Sequence, residues 1–303
     1  MIYLILAIIC SATIALIFKY TENSNGNRYV ITSSNYFMAF LTSLFMILYN
    51  KTLFGVSKEE SFIVEFQKVV LEERGLFSSY SSIIWAIIVG TIFGGFFFLS
   101  FIYYQKSVKE NGVGISGTFA KLGILIPMIF SIIIWKEYPT SIQWIGIFLS
   151  LLSIIIVNMS FKGLEKLSVE PAIIFLFLFG GLAEFSNKIY QKYALNEFKS
   201  VFLFFIFFVA FLISFIYAKR KKVKLKKKDI IIGFLVGIPN LFSSYFLILS
   251  LDTLNTSVAF PLFSAGSIIL ITLGGYFIFK EEISFKNKVA IGLTLVALVL
   301  INL

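Results

Sequence analysis

The stretch NTSVAFPLFSAGSIILITLGGYFIFKEEISFKNKVAIGLTLVALVLIN, residues 255–302, decides the fold. It holds two apolar runs, 256–279 and 286–302, joined by a short charged connector that begins Lys280-Glu281. A transmembrane helix needs roughly 20 mostly apolar residues to cross about 30 Å of hydrocarbon. A connector of a few residues makes the helices on either side antiparallel neighbours. The same arrangement occurs earlier in the chain. Residues 111–158 slide onto 255–302 without a gap: Asn111 meets Asn255, Lys136-Glu137 meets Lys280-Glu281, and Asn158 meets Asn302. Ten of the 48 positions are identical. Matches of Ile and Leu weigh little in apolar sequence; a Lys-Glu pair in the same inter-helix connector weighs more.

Composition agrees with this reading. The 303 residues are 58% hydrophobic and 14% charged, and 37 are Phe. Soluble domains are about 45–50% apolar and about 25% charged, so a globule of this size would leave much of its Phe, Ile and Leu in water. A soluble enzyme is excluded. Cys10 is the only cysteine and there is no histidine. An intrachain disulfide framework, His-based metal sites and Ser-His-Asp catalysis are therefore excluded too, and no cofactor or metal is expected. The net charge of +10 sits mostly in short connectors between apolar runs, not on the solvated face that nucleic-acid binding requires.

Ten spans follow: 2–18, 31–50, 82–104, 113–135, 141–158, 171–190, 200–218, 229–250, 256–279 and 286–302. They lack the period-2 alternation of a membrane barrel, which leaves helices as the way to satisfy backbone groups in lipid. The first run has no basic stretch before it and no small-residue cleavage pattern after it, so it reads as a span. In the one long connector, 51–82, Ser57-x-x-Glu60 has the capping-box pattern. Phe62, Phe66, Val69 and Val70 then share one face, which predicts an amphipathic helix on the membrane surface, stopped near Gly75.

The early spans repeat at a different offset. Lys19 near the end of span 1 corresponds to Lys188 near the end of span 6, and the long connector 51–82 against the short basic one at 219–228 accounts for the change. Each half, 1–160 and 161–303, then holds five spans, and an odd number inverts the second half. The expected fold is an all-α integral membrane protein of ten transmembrane helices in two inverted five-helix repeats. Such repeats characterise secondary transporters that alternate access around a midplane site.

Five-plus-five helices, a Lys closing the first span of each half, and a Lys-Glu connector before the last span of each half resemble the drug/metabolite transporter superfamily, in its EamA-like branch. The resemblance covers essentially the whole chain and is strongest from Phe279-Lys280-Glu281 to Asn302. It implies a ten-helix alternating-access carrier of small metabolites, nucleotide-linked sugars, amino acids or drugs. Lys121 departs from the family pattern, which is apolar or small at that point of the fourth span.

Connectors 1–2, 3–4, 5–6, 7–8 and 9–10 hold 17 of the Lys and Arg residues, and the alternate set holds 8. The positive-inside rule puts the richer set in the cytoplasm and both termini outside. Nearly all of this bias comes from the basic run 219–228, which serves as a stop-transfer cluster or a contact for anionic lipid.

A charge deep in a span is costly and marks function by default. Lys121 lies near the middle of span 4, and Glu184, well inside span 6, is its expected partner across a cavity. Lys188 follows Glu184 by one turn on the same face, although snorkelling to the headgroups competes as an account of Lys188 and of Lys19. Asn187, Asn240 (beside Pro239 midway along span 8) and Tyr245 complete the candidate substrate-binding set. Asn35-Tyr36 either contact substrate or bridge helices. The glycine motifs Gly90-x-x-x-Gly94-Gly95, Gly180-Gly181, Gly233-x-x-x-Gly237 and Gly274-Gly275 read as close helix contacts, since no phosphate-loop context surrounds them.

The function expected is a carrier, secondary-active or facilitative, that moves an amino acid, organic acid or drug-like compound across the cytoplasmic membrane. Its partners are substrate and lipid, and it is a monomer or homodimer. The competing reading is a membrane-embedded enzyme acting on a lipid-linked substrate. That reading lacks both a histidine and a carboxylate cluster to hold a metal-bound pyrophosphate. Glu184 is the one acid well inside a span, and a charge-compensating Lys121 favours facilitated exchange over proton antiport.

Overall fold

Each long apolar run folds as a helix, because backbone amides and carbonyls facing lipid must find partners within their own segment. The computed structural model describes residues 1–21, 26–58, 60–158, 171–280 and 282–301, and none of these residues is in a strand. The helices are α1 (Ile2–Thr21), α2 (Arg28–Tyr49), α3 (Phe62–Phe66), α4 (Ser79–Leu122), α5 (Leu125–Trp135), α6 (Ser141–Asn158), α7 (Pro171–Tyr193), α8 (Lys199–Arg220), α9 (Lys227–Ser250), α10 (Thr256–Phe279) and α11 (Phe285–Ile301). Among the described residues, eight segments are long and apolar enough to cross a membrane, and Ser141–Ile156 is a shorter apolar helix. The expected boundary at 160/161, together with Glu281 and Asn302 of the aligned motifs, lies outside the described residues.

Spans 3 and 4 differ from expectation in their junction. The proposed connector 105–112 is itself helical, so α4 runs on to Leu122. It does not run straight. The hydroxyls of Ser107 and Ser116 hydrogen-bond at 2.7 Å, whereas nine residues of straight helix advance about 13 Å. The chain therefore turns back on itself between these serines. A second break falls at Gly123-Ile124, just before α5. Its cause is Pro127, whose ring excludes a helical carbonyl four residues earlier and which has no N–H to donate. The carbonyl of Gly123 takes the amide of Ile126 at 3.0 Å instead. α9 and α10 continue through Pro239 and Pro261.

The chain divides into two compact units, and the division cuts across its halves. One comprises residues 1–16, 99–185 and 253–303; the other comprises 17–98 and 186–252. In the first unit α6 packs along α11, with Thr294 Oγ1 on Ser153 Oγ at 3.0 Å and Gln143 Nε2 on the Ile301 carbonyl at 3.3 Å. Lys136 and Lys280, 144 residues apart, end α5 and α10 in the same left-handed conformation, each at φ 54°. Each returns its amide to an equivalent carbonyl, that of Ser131 or Gly275. Glu137, beside Lys136, accepts the Thr256 amide at 2.8 Å and so caps the start of α10.

In the second unit α2 lies against α8 and α9. The glycine pairs mark where backbones touch. A Cβ on Gly90 would lie 2.8 Å from the Cβ of Phe205 and 2.9 Å from the Phe202 carbonyl on α8. A Cβ on Gly233 would meet the Cβ of Ser34 and, at 2.5 Å, the Ile31 carbonyl on α2. Phe205 follows Ser34 by the same 171 residues that separate Phe202 from Ile31. Gly94 and Gly237 repeat the match one turn later, against Ile206 and Val209 in one case and Asn35 and Met38 in the other.

The long connector corrects the expected capping box. Ser61, not Ser57, caps α3, accepting the Val64 amide. The helix lasts five residues and passes into a wider π turn, Gln67–Leu71. Its apolar face packs on protein: Phe62 meets Phe77 at 5.6 Å, Phe66 meets Trp85 at 6.0 Å, and Val69 is buried. Glu65, off the apolar face, is only 7% exposed. Its carboxylate accepts both the amide and the hydroxyl of Ser78 at 2.7 Å. Burial by itself would raise this carboxyl's pKa, but the Ser78 and Ser81 hydrogen bonds and the Lys68 charge outweigh it, holding Glu65 below the usual carboxylate range.

Candidate functional site

In the first unit the backbone break at Gly123 positions the deepest charges. Gly181 of α7 rests directly on the Gly123 carbonyl, and a Cβ there would also come within 2.5 Å of Ile126 Cδ1. Only glycine lets the two backbones approach so closely. Lys121 precedes this crossing by two residues and Glu184 follows it by three, both half-buried, and the charge of Glu184 is felt at Lys121. Aromatic rings border the place. Phe185 stacks on Phe130 at 5.1 Å and lies 5.7 Å from Trp135. Such a pair can present an ammonium to a ligand anion while its carboxylate offsets the charge when no ligand is bound.

In the second unit Asn240 of α9 donates to Asn35 Oδ1 of α2 at 3.1 Å. This hydrogen bond bridges helices, one of the two roles open to Asn35 from the sequence. Tyr36 beside it is buried and donates to the Phe97 carbonyl at 3.2 Å.

Lys188 does not snorkel. A snorkelling lysine carries its ammonium to the headgroups, but Lys188 is 3% exposed and donates to Gln191 Oε1 at 3.2 Å. Gln191 Nε2 donates to Asp252 Oδ1 at 2.9 Å, and Asn196 Nδ2 donates to Asp252 Oδ2. Lys199 donates to the Asn196 carbonyl at 2.9 Å and places its ammonium 4.7 Å from the centre of the Tyr245 ring. Asn187, next to Lys188, is fully buried. Sequence reasoning missed Gln191, Asn196, Lys199 and Asp252. The available signal was topological: connectors 6–7 and 8–9 emerge on the same side of an alternating chain.

Charged residues thus lie on long apolar helices that meet through glycines, and comparison with known proteins gives the family of part of the chain. Residues 171–303 match the EamA-like transporter family. The chain carries an EamA-like transporter family domain. That domain contains Glu184, Asn187, Lys188, Asn240 and Tyr245. With its apolar helices, the protein is a multi-pass membrane protein. Over 298 residues it is 23% identical to an uncharacterized protein of Haemophilus influenzae, covering 97% of this chain and 95% of that one. The uncharacterized membrane protein YvaE of Bacillus subtilis is 36% identical over 78 residues, 23% of this chain and 66% of YvaE. A protein of known crystal structure shares the fold, with a TM-score of 0.67 at 14% identity over 99% of this chain and 94% of its own.

Proposed function

We propose that this EamA-like protein is a carrier, facilitative or secondary-active, that moves a small metabolite bearing an anionic group across the cytoplasmic membrane by alternating access. Lys121 is the group that meets the anion and Glu184 its counter-charge. The observation that carries this reading is the Lys121–Glu184 pair on two spans whose backbones touch at Gly123 and Gly181. A charged pair inside a span is expensive to keep and is retained for a pathway or a site. Amino acids and organic acids are the substrates that best suit a fixed ammonium with a partly compensating carboxylate.

Ten spans in two inverted repeats form the proposed framework. Two observations support it: the matching left-handed ends at Lys136 and Lys280, and the matching contacts of Gly90 and Gly233. The test is uptake into proteoliposomes from a panel of labelled amino acids, organic acids and cationic drugs. The parent chain should show saturable uptake of an anionic or zwitterionic solute, and Lys121→Met should lose it while remaining folded. Uptake unchanged by Lys121→Met would make the lysine a structural counter-ion and remove it from the substrate site.

A further inference from the structure

The second unit contains a polar cavity of about 430 Å³ that shares Tyr245 alone with the candidate substrate-binding set. Its volume falls at the small end of the range of about 300–1,000 Å³ typical of sites for small molecules. Lys199, Glu197 and Tyr245 line one side, and the turn that follows α2 supplies Asn50, Lys51 and Thr52. We propose that this cavity is a binding site for a free α-amino acid or a close zwitterionic analogue. Lys199, with Lys51, takes the carboxylate, and Glu197 takes the ammonium.

The argument rests on how Lys199 is held. An ammonium has three donors; one goes to the Asn196 carbonyl, and the Tyr245 ring face holds the charge from another side. Asn196 is itself tied to Asp252, which is tied to Gln191. The side chain is thus fixed before any ligand arrives, which lowers the ordering cost of binding. Glu197 belongs to the same short turn, Asn196–Phe198, and its charge acts at Lys199 together with the stronger influence of Asp252. The cavity therefore offers both signs of charge side by side. A simple carboxylate ligand would meet Glu197, and a simple ammonium would meet Lys199 and Lys51. A zwitterion satisfies both.

The test is calorimetric titration of the full chain in lipid nanodiscs with L-alanine, L-phenylalanine, 3-phenylpropanoate and 2-phenylethylammonium. At least one amino acid should bind, with L-phenylalanine at least tenfold tighter than either of its singly charged halves. Glu197→Gln changes an exposed side chain, so it should fold as the parent does and abolish the preference over 3-phenylpropanoate. Lys199→Met should weaken amino-acid binding at least tenfold. Repeating the titration with Lys121→Met removes any contribution from the other unit, and the binding should persist. Absence of amino-acid binding in the parent overturns the proposal, as does binding that neither Glu197→Gln nor Lys199→Met alters. Binding that disappears with Lys121→Met also overturns this site while leaving the carrier reading intact. Loss of uptake by the parent chain, with titration as expected, overturns the carrier reading and leaves this site standing.

Discussion

Gly181 of α7 lies on the carbonyl of Gly123, at the point where Pro127 breaks the helix between α4 and α5. The contact brings Lys121 and Glu184 into one electrostatic neighbourhood, so a residue with no chemistry of its own sets the geometry of the charged pair. Gly181→Ala should force the crossing apart. Overpacking of this kind costs about 1–3 kcal/mol, which a thermal melt in detergent would detect. Gly237→Ala should behave alike, because its Cβ would come within 2.6 Å of the Asn35 carbonyl. A melting temperature unchanged in both variants would show that the helices separate freely.

The charged pair is testable without a substrate. Lys121→Met removes the positive charge that Glu184 faces, and loss of an opposing charge in a half-buried place costs up to about 3–5 kcal/mol. Adding Glu184→Gln removes the remaining charge and should recover part of the loss. The double-mutant cycle should yield a coupling energy of about 0.5–3 kcal/mol. Additive effects would mean that the two charges do not interact.

Asn240 and Asn35 form a bridge whose loss should be asymmetric. Asn240→Leu leaves Asn35 Oδ1 without this donor, at an expected cost of about 1–3 kcal/mol. Asn35→Leu combined with Asn240→Leu should cost less than the two single changes added together. Denaturation of all three variants under one condition measures this.

Glu65 makes the α2–α4 connector sensitive to acid. Its folded pKa lies below the usual carboxylate value, so its contribution is complete above the unfolded value of about 4.3. The contribution fades as pH falls further through the lowered folded value. Trp85, packed on Phe66 and Phe77, reports on this region. With Trp135 and Trp144 replaced by Phe, the emission of Trp85 should shift red below about pH 4.3. Glu65→Gln should show the loosened state already at neutral pH, and an acid shift of parent size in Glu65→Gln would place the sensor elsewhere.

The helices, their approximate limits and the membrane environment were legible from sequence because they depend on local quantities: the length of an apolar run, its lack of alternation, and charges confined to short connectors. The glycine pairs were legible as helix contacts for the same reason, since small residues four apart leave a groove whatever fills it. Which helix fills the groove was not legible. Gly90 and Gly94 meet α8, and Gly233 and Gly237 meet α2, at sequence separations that no local pattern encodes. The fate of individual polar groups also depended on distant neighbours. Lys188 looks like a snorkelling residue from its place near a span end, but it is buried because Gln191 Oε1 accepts its hydrogen bond and Asp252, 61 residues beyond Gln191, holds Gln191. Glu65 looks solvated on a helical wheel, but the short helix widens into a π turn and Ser78 folds back over it. A sequence states the cost of burying each charge. Only the tertiary structure decides whether partners assemble to meet that cost, because hydrogen bonds act over about 3 Å and the partners lie far apart along the chain.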